Sequence, residues 1–247
     1  MMQIETILKE SRRLRNDRKF DQAYHHLKSS LCDHPEFQFL IWQHSPIFWS
    51  DISAGICTLT RRKSEDTLFL REIWGQNDFG YVFNRNSAPL PEDDATLQKI
   101  LDAEMTSLME ESRALHWIIR DKNQRPWGLL SLCDVSFTHK RAEVLLGIMP
   151  EAPPGLVAAA MFMLYEFFFK FMQFNKLCAM IFKENTRSFK ATLHLGFNME
   201  GELKQHSLDP RTGKYVDVIQ LGILAESAFQ ANNQHLKRRL LGPQKSA

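Results

Sequence analysis

The spacing of apolar residues predicts helices in the first part of the chain and strands further on. Between Glu5 and His34 apolar residues recur every three or four positions, which predicts two short helices, and residues 37–52 continue as a third helical stretch. From Ala114 the apolar period changes to two, which is typical of half-buried strands. The three antiparallel strands predicted there cover residues 115–119, 127–133 and 143–149.

Helices and strands alternate in the remaining segments. A short β-prone run at residues 56–60 is followed by one helix after Ser64 and another after Pro91, with a loop between them that contains Asn84. An apolar helix is expected over residues 156–174, and a short apolar strand follows it at residues 177–182. The predicted order of elements is therefore β, α, α, β, β, β, α, β, α, β, β.

A helix-to-strand junction lies between Asn185 and Gly201. Asn185 is a favourable N-cap, and Ala191 and Leu195 lie four positions apart on one helical face. Gly196 is suited to the left-handed conformation that ends a helix, and Phe197 begins an apolar turn into the next strand. Beyond it, Asp-Pro and Thr-Gly dipeptides punctuate a hairpin that ends near residue 224.

The junction, with its "GF..EG" corner and the later "G.Y.D" strand around Tyr215 and Asp217, resembles the acyl-CoA end of a GNAT acetyltransferase, and within that superfamily its RimJ/RimL-type branch. The resemblance is specific from residue 145 to residue 224. It implies an α+β GNAT fold, with a mixed, mostly antiparallel sheet flanked by helices. It also implies N-acetyl transfer from acetyl-CoA, without a metal, to a primary amine on a peptide N-terminus, an amino sugar or a small metabolite.

The composition argues against several classes of protein and of binding partner. Hydrophobic residues make up 44% and charged residues 24% of the 247 positions, as in ordinary globular proteins, and the net charge of +2 argues against a nucleic-acid partner. Four scattered cysteines indicate neither a disulfide framework nor a zinc site. The sequence shows no secretory signal and no apolar run of the roughly 18 residues that a membrane span needs. We therefore expect a cytoplasmic protein.

We divide the chain into a helical extension (residues 1–52), a GNAT domain (53–225) and a polar tail (226–247). The second helix of the extension, with its "D.A...L...L..HPE" ending, resembles one tetratricopeptide unit. A single unit cannot bury its own apolar face, so we expect it to pack against residues 37–52 or against the main domain. A protein partner for residues 1–52 and a homodimer are both left open.

The loop before the apolar helix is the expected site for the pyrophosphate of CoA, because unpaired amides at a helix N-terminus attract anions. The family pattern R/Q-x-x-G-x-G/A reads Ala152-Pro-Pro-Gly-Leu-Val here, so only the central glycine is kept. Pro153 and Pro154 lack N–H donors, and Val157 adds bulk. The amides expected to converge on an anion are those of Gly155, Leu156, Val157 and Ala158.

Further roles follow from the resemblance. Leu146, Gly147 and Ile148 would hold the pantetheine arm through their backbone. Asn185 would contact the CoA arm as well as cap its helix, and Ser188 would contact CoA or protonate the leaving thiolate. His206 is the first choice for the general base, since the glutamate expected at this place is missing. Glu143 completes the candidate catalytic set of His206, Ser188 and Glu143, and Asp134 and His116 are further candidates for the base.

Two functions remain open at this point. One is N-acetyl transfer by direct attack of the amine through a tetrahedral intermediate, which Asn185, Ser188 and the intact corner favour. The other is a GNAT-shaped binding or scaffold protein that acts through its N-terminal helices, which the altered 152–157 loop favours. A longer acyl donor is a third option, because Val157 and the phenylalanine-rich helix could line an apolar slot.

Overall fold

The computed structural model describes residues 2–76, 78–84, 89–106, 113–230 and 237–241. Its centre is one eight-stranded sheet. In chain order the strands are β1 (Ile52–Ala54), β2 (Cys57–Arg61), β3 (Leu115–Asp121), β4 (Pro126–Ser136), β5 (Arg141–Ile148), β6 (Lys176–Phe182), β7 (Asn198–Leu208) and β8 (Tyr215–Leu224).

The strands lie side by side in the order β1-β2-β3-β4-β5-β6-β8-β7. Every neighbouring pair is antiparallel except β5 and β6, which are parallel. The predicted fold class, a mixed and mostly antiparallel sheet flanked by helices, is confirmed. The helices are α1 (Met2–Asn16), α2 (Phe20–Leu31), α3 (Gln38–Gln43), α4 (Thr67–Gly75), α5 (Phe79–Asn84), α6 (Asp94–Thr106), α7 (Leu156–Tyr165), α8 (Thr186–His194) and α9 (Ala225–Ala228).

Helices α5 and α7 cover opposite faces of the sheet. Helix α5 packs on β5, where the rings of Phe79 and Phe83 lie against Gly147. Helix α7 packs on β1, β2 and β3, and the ring of Phe167, just beyond α7, meets Trp117 at 5.4 Å. The register of β3, β4 and β5 places Trp117 on the face opposite to Gly147, because side chains alternate along each strand.

The long apolar helix expected over residues 156–174 is shorter in the structure. Helix α7 ends at Tyr165 and continues as a wider π-helical turn, Glu166–Phe171. Phe167, Phe168 and Phe169 are all buried. A wider turn changes the angle between successive side chains, so three consecutive rings reach the core. Within the described residues, no helix has both the length and the hydropathy needed to cross a membrane.

The N-terminal helices pack on one another and on the sheet domain. Leu27 and Leu31 of α2 form a small core with Ile41 of α3. Arg18, just after α1, pairs with Asp102 of α6 at 2.7 Å, and Trp49 belongs to the main core. These contacts satisfy the need of a lone helical hairpin for neighbours, while its likeness to a tetratricopeptide unit stays a prediction.

Part of the predicted polar tail packs against the domain. Residues 237–241 are helical, and both Lys237 and Leu241 are buried. The Lys237 ammonium pairs with the Glu166 carboxylate, and Leu240 lies against Gly155. This segment of the tail is therefore in contact with the domain.

Candidate active site

The two parallel strands at the centre of the sheet separate and leave a cavity between them. Strands β5 and β6 pair only at Arg141, Ala142 and Glu143, whereas β4 follows β5 to Ile148. Beyond Glu143 the strands diverge around a cavity of about 780 Å³. The β5 backbone from Val144 onward therefore has no strand partner on its β6 side among the described residues.

Helix α8 forms one wall of the cavity. The Asn185 side chain accepts a hydrogen bond from the Ser188 N–H at 3.1 Å, so the predicted N-cap is present, and both residues line the cavity. Gly196, with φ of 97°, ends the helix. The Tyr165 hydroxyl donates to the Leu195 carbonyl at 2.8 Å and ties this corner to α7. The polar side chains at the start of α8 are thereby held in place.

The loop before α7 still presents amide donors despite its two prolines. The Leu156 and Ala159 amides donate to the carbonyls of Pro153 and Gly155. Among the backbone hydrogen bonds of the described residues, the amides of Val157 and Ala158 find no acceptor. Open N–H groups at a helix N-terminus suit a phosphate, so the loop fits the diphosphate of CoA without the usual arginine or glutamine.

Glu143 is a carboxylate held in a poorly solvated place. It lies where β5 and β6 part, on the same face of β5 as Gly147, and it lines the cavity. Burial raises the pKa of Glu143 to about 7, Asp134 raises it further and Arg141 opposes the change. The structure shows no hydrogen bond from a described residue to its carboxylate. A group of this pKa is suited to accept a proton near neutral pH.

His206, the first choice for the general base, also lines the cavity. It is carried by an irregular part of β7, where the pairing with β8 shifts between Leu203 and Ser207. Gln205 has a φ of 47°, and its N–H donates to the Asp217 carboxylate at 2.9 Å. This hydrogen bond is the main cause that lowers the pKa of Asp217 to about 2. Asp217 thus fixes the bulge beside His206.

The two remaining candidate bases are engaged elsewhere. His116 is half-buried and shares a hydrogen bond of 2.8 Å with Ser131, and desolvation holds its pKa well below the usual value. Asp134 forms ion pairs of 3.3 Å with Arg141 and 3.6 Å with Arg113. Neither side chain lines the cavity, so Glu143 and His206 are better placed to accept a proton.

Helix α5, which the sequence did not predict, closes one end of the cavity. Phe79, Val82 and Phe83 line it. The Tyr81 hydroxyl donates to Asp209 at 2.8 Å, and Arg211 pairs with Asp78 at 2.8 Å. These two contacts join α5 and the residue before it to the turn between β7 and β8. Six residues are too few to show a helical periodicity in the sequence. Their three aromatic side chains were the one feature that could have indicated a packed segment.

The candidate residues divide into those that line the cavity and those beside it. Gly155, Leu156 and Ala158 do not line it, although their loop borders it through Val157. Cys133, Arg187 and Thr192 line it without having been singled out by the sequence. The cavity-lining residues of the predicted set are Glu143, Leu146, Gly147, Ile148, Val157, Asn185, Ser188 and His206.

This geometry agrees with what sequence comparison finds. The model of the acetyltransferase (GNAT) domain matches residues 57–198, which is more than half of the chain. The chain belongs to the GNAT acetyltransferase family. The predicted class, an acyltransferase that uses acetyl-CoA, is the class of this family.

The chain is also similar to a curated relative and to solved structures. The chain is 29% identical over 117 residues to spermidine N(1)-acetyltransferase of Escherichia coli strain K12, a match that spans 47% of this chain and 61% of that protein. Spermidine N-acetyltransferase from Vibrio cholerae, solved with CoA and spermine, superposes with a TM-score of 0.59 at 18% identity, over 70% of this chain and 98% of that one. A dodecameric structure of spermidine N-acetyltransferase from Vibrio cholerae superposes with a TM-score of 0.57 at 20% identity, over 70% of this chain and 96% of that one.

Likeness to solved structures at this identity supports the GNAT fold. The described residues contain no group of three histidine, cysteine, aspartate or glutamate side chains placed to hold a metal ion.

Proposed function

We propose that this GNAT protein transfers an acetyl group from acetyl-CoA to a primary amine, with Glu143 as the general base. The single observation that supports this most is the parting of β5 from β6 at Glu143, which puts a carboxylate of raised pKa at the inner end of a cavity. His206, across the cavity on β7, is the second candidate for the proton acceptor.

The residues that would hold acetyl-CoA lie along one side of the cavity. The Val157 and Ala158 amides would receive the diphosphate, and Arg187 adds a positive charge nearby. Arg187 is exposed at the cavity and has no ion pair with a described residue. Asn185, the amide group of which is only partly used in its cap, would hold the pantetheine arm together with the unpaired backbone of residues 144–148.

The proposed proton transfers use two side chains that line the cavity. The bound ammonium must lose a proton before its nitrogen can attack the thioester carbon, and Glu143 takes that proton. As the C–N bond forms and the C–S bond breaks, Ser188 gives its hydroxyl proton to the departing thiolate and takes the second proton of the attacking nitrogen, which restores the hydroxyl. Bound acetyl-CoA supplies the activated acyl group, and the protein supplies position and proton exchange.

A scaffold without turnover is the second candidate function. It is favoured by Pro153 and Pro154, which remove two N–H donors from the loop, and by Leu240, which lies against Gly155. In that case the N-terminal helices would carry the interaction. The RimJ/RimL-type branch is retained as part of the transferase proposal, and the relatives' names add a polyamine to the candidate acceptors.

A thermal-shift titration with CoA separates the two functions. A ligand that binds only the folded state raises the free energy of unfolding by about 2.7 kcal/mol at 100 times its Kd. We expect a clear rise in Tm with CoA for the wild type. Val157→Pro removes one donor at a first-turn position that proline tolerates, so it should reduce the rise without unfolding the protein.

Ala95→Pro is the matched control, because Ala95 is exposed at the corresponding first-turn position of α6. It should leave the CoA response unchanged. No rise in Tm at millimolar CoA would contradict the transferase and leave the scaffold as the better account.

A further inference from the structure

The end of the cavity that faces α5 is apolar and has few charges. Phe79 and Phe83 stack with a centroid distance of 5.5 Å, and Trp74 packs against both rings. Both phenylalanines touch the backbone of Gly147, where a Cβ atom would lie within 2.7 Å of either ring. The rings are therefore fixed by their packing on β5.

Glu143 is the one carboxylate that lines the cavity in the part of the chain that the structure describes. The remaining titratable groups that line it are Arg187 and His206 on the walls, and the Cys133 thiol, the pKa of which burial raises to about 11. An amine bound at this end therefore meets one negative charge.

We propose that the acceptor is a primary amine with a single positive charge on an aromatic or aliphatic body, and that Phe79, Val82 and Phe83 receive this body. The inference rests on the proposed acetyl transfer and names its substrate class. The ammonium lies at Glu143, and the apolar body points toward α5.

The described residues that line the cavity offer no second carboxylate, so each further ammonium of a polyamine gains no ion pair at this end. Contact of a cation with a phenylalanine face is only a weak attraction at an exposed site. An apolar body gains free energy from the same surroundings.

Asp134, Asp209 and Asp78, which do not line the cavity, are already engaged. Asp134 pairs with Arg141 and Arg113. At the α5 end, Asp209 accepts from Tyr81, and Asp78 pairs with Arg211. Using either of the last two for a polyamine would break the contacts that join α5 to the β7–β8 turn.

The test compares acceptors by the release of CoA thiol at saturating acetyl-CoA. The acceptors are 2-phenylethylamine, hexylamine and spermidine. We expect kcat/KM for 2-phenylethylamine to exceed that for spermidine at least tenfold. Phe83→Ala should raise KM for 2-phenylethylamine more than it lowers kcat, because the ring contacts the body of the substrate and not the reacting atoms.

A gain of polyamine use provides the second measurement. Val82 is 53% exposed and lines the cavity, so Val82→Asp adds a carboxylate there without filling the core. It should raise kcat/KM for spermidine. Leu68→Asp is the matched control, since Leu68 is 77% exposed on α4 and does not line the cavity, and it should change neither acceptor.

Each outcome supports or overturns a defined part of the proposal. Wild-type activity that is higher with spermidine than with both apolar amines overturns the acceptor class and leaves acetyl transfer standing. A CoA-dependent rise in Tm without turnover of any of the three amines also overturns the acceptor class. Absence of both the rise in Tm and turnover overturns acetyl transfer itself.

Discussion

Replacing Glu143 with glutamine tests the general base through two measurements of opposite sign. The variant keeps the shape of the side chain and removes its ability to accept a proton. We expect kcat/KM to fall by a factor of about 10² to 10⁴, the usual contribution of a positioned base. In the wild type, kcat/KM should drop tenfold for each pH unit below pH 7, because Glu143, with a pKa of about 7, must be ionised to accept a proton.

The free energy of unfolding should change in the opposite direction. The pKa of Glu143 rises from 4.5 in the unfolded chain to about 7 in the folded one, so the folded state binds its proton more tightly. Folding stability from this group is fully present below pH 4.5 and falls as the pH rises to about 7. Each unit of difference between the two pKa values corresponds to about 1.4 kcal/mol, so ionisation of Glu143 lowers the free energy of unfolding by at most about 3 kcal/mol. Solvent at the cavity makes this loss smaller.

Glu143→Gln should therefore be more stable than the wild type by about 1–3 kcal/mol at pH 8 and equal to it near pH 4. Thermal melts at the two pH values measure this difference, and the thiol-release assay measures activity. Glu226→Gln, at an exposed position on α9, is the control and should change neither. An active Glu143→Gln variant, or one that is inactive and also less stable at pH 8, would refute this role.

Three further substitutions test segments that line or border the cavity. Asn185→Ala removes the cap of α8 and should lower the free energy of unfolding by about 1 kcal/mol in denaturant titrations, while it weakens the Tm response to CoA. Gly155→Val places a β-branched residue at a φ of 86° and should cost about 1–2 kcal/mol and abolish the CoA response, so survival of that response would show that the diphosphate lies elsewhere. Tyr81→Phe removes the hydrogen bond to Asp209 and should speed amide exchange in α5 with little change in α8, and uniform exchange in both helices would contradict the proposed contact.

The sequence predicted the elements that have strong local signals. Asn185, Gly196 and Phe197 each have a local physical reason for their place, namely a cap, a left-handed terminus and a buried ring, and all three are found there. The three central strands were also expected from their period of two. Their observed bounds extend a few residues beyond the apolar run, since pairing continues where polar residues face solvent.

Other features depend on contacts that a single sequence does not reveal. Helix α5 has only six residues, too few to be stable alone, and it forms because its rings pack on Gly147. The raised pKa of Glu143 follows from the place where β5 leaves β6, which is a property of the folded sheet. The contact of Leu240 with Gly155 joins residues that lie far apart in the chain.

The narrow junction between β5 and β6 has a mechanical consequence. In the described residues the two strands share three paired positions, so strands β1–β5 and strands β6–β8 form two halves of the sheet that are joined over a short distance. The angle between the two halves is then set by side chains, above all by the buried aromatic turn Glu166–Phe171 that connects one half to the other. Trimming a ring in that turn would alter the width of the cleft from a distance, with no substitution among the residues that line it.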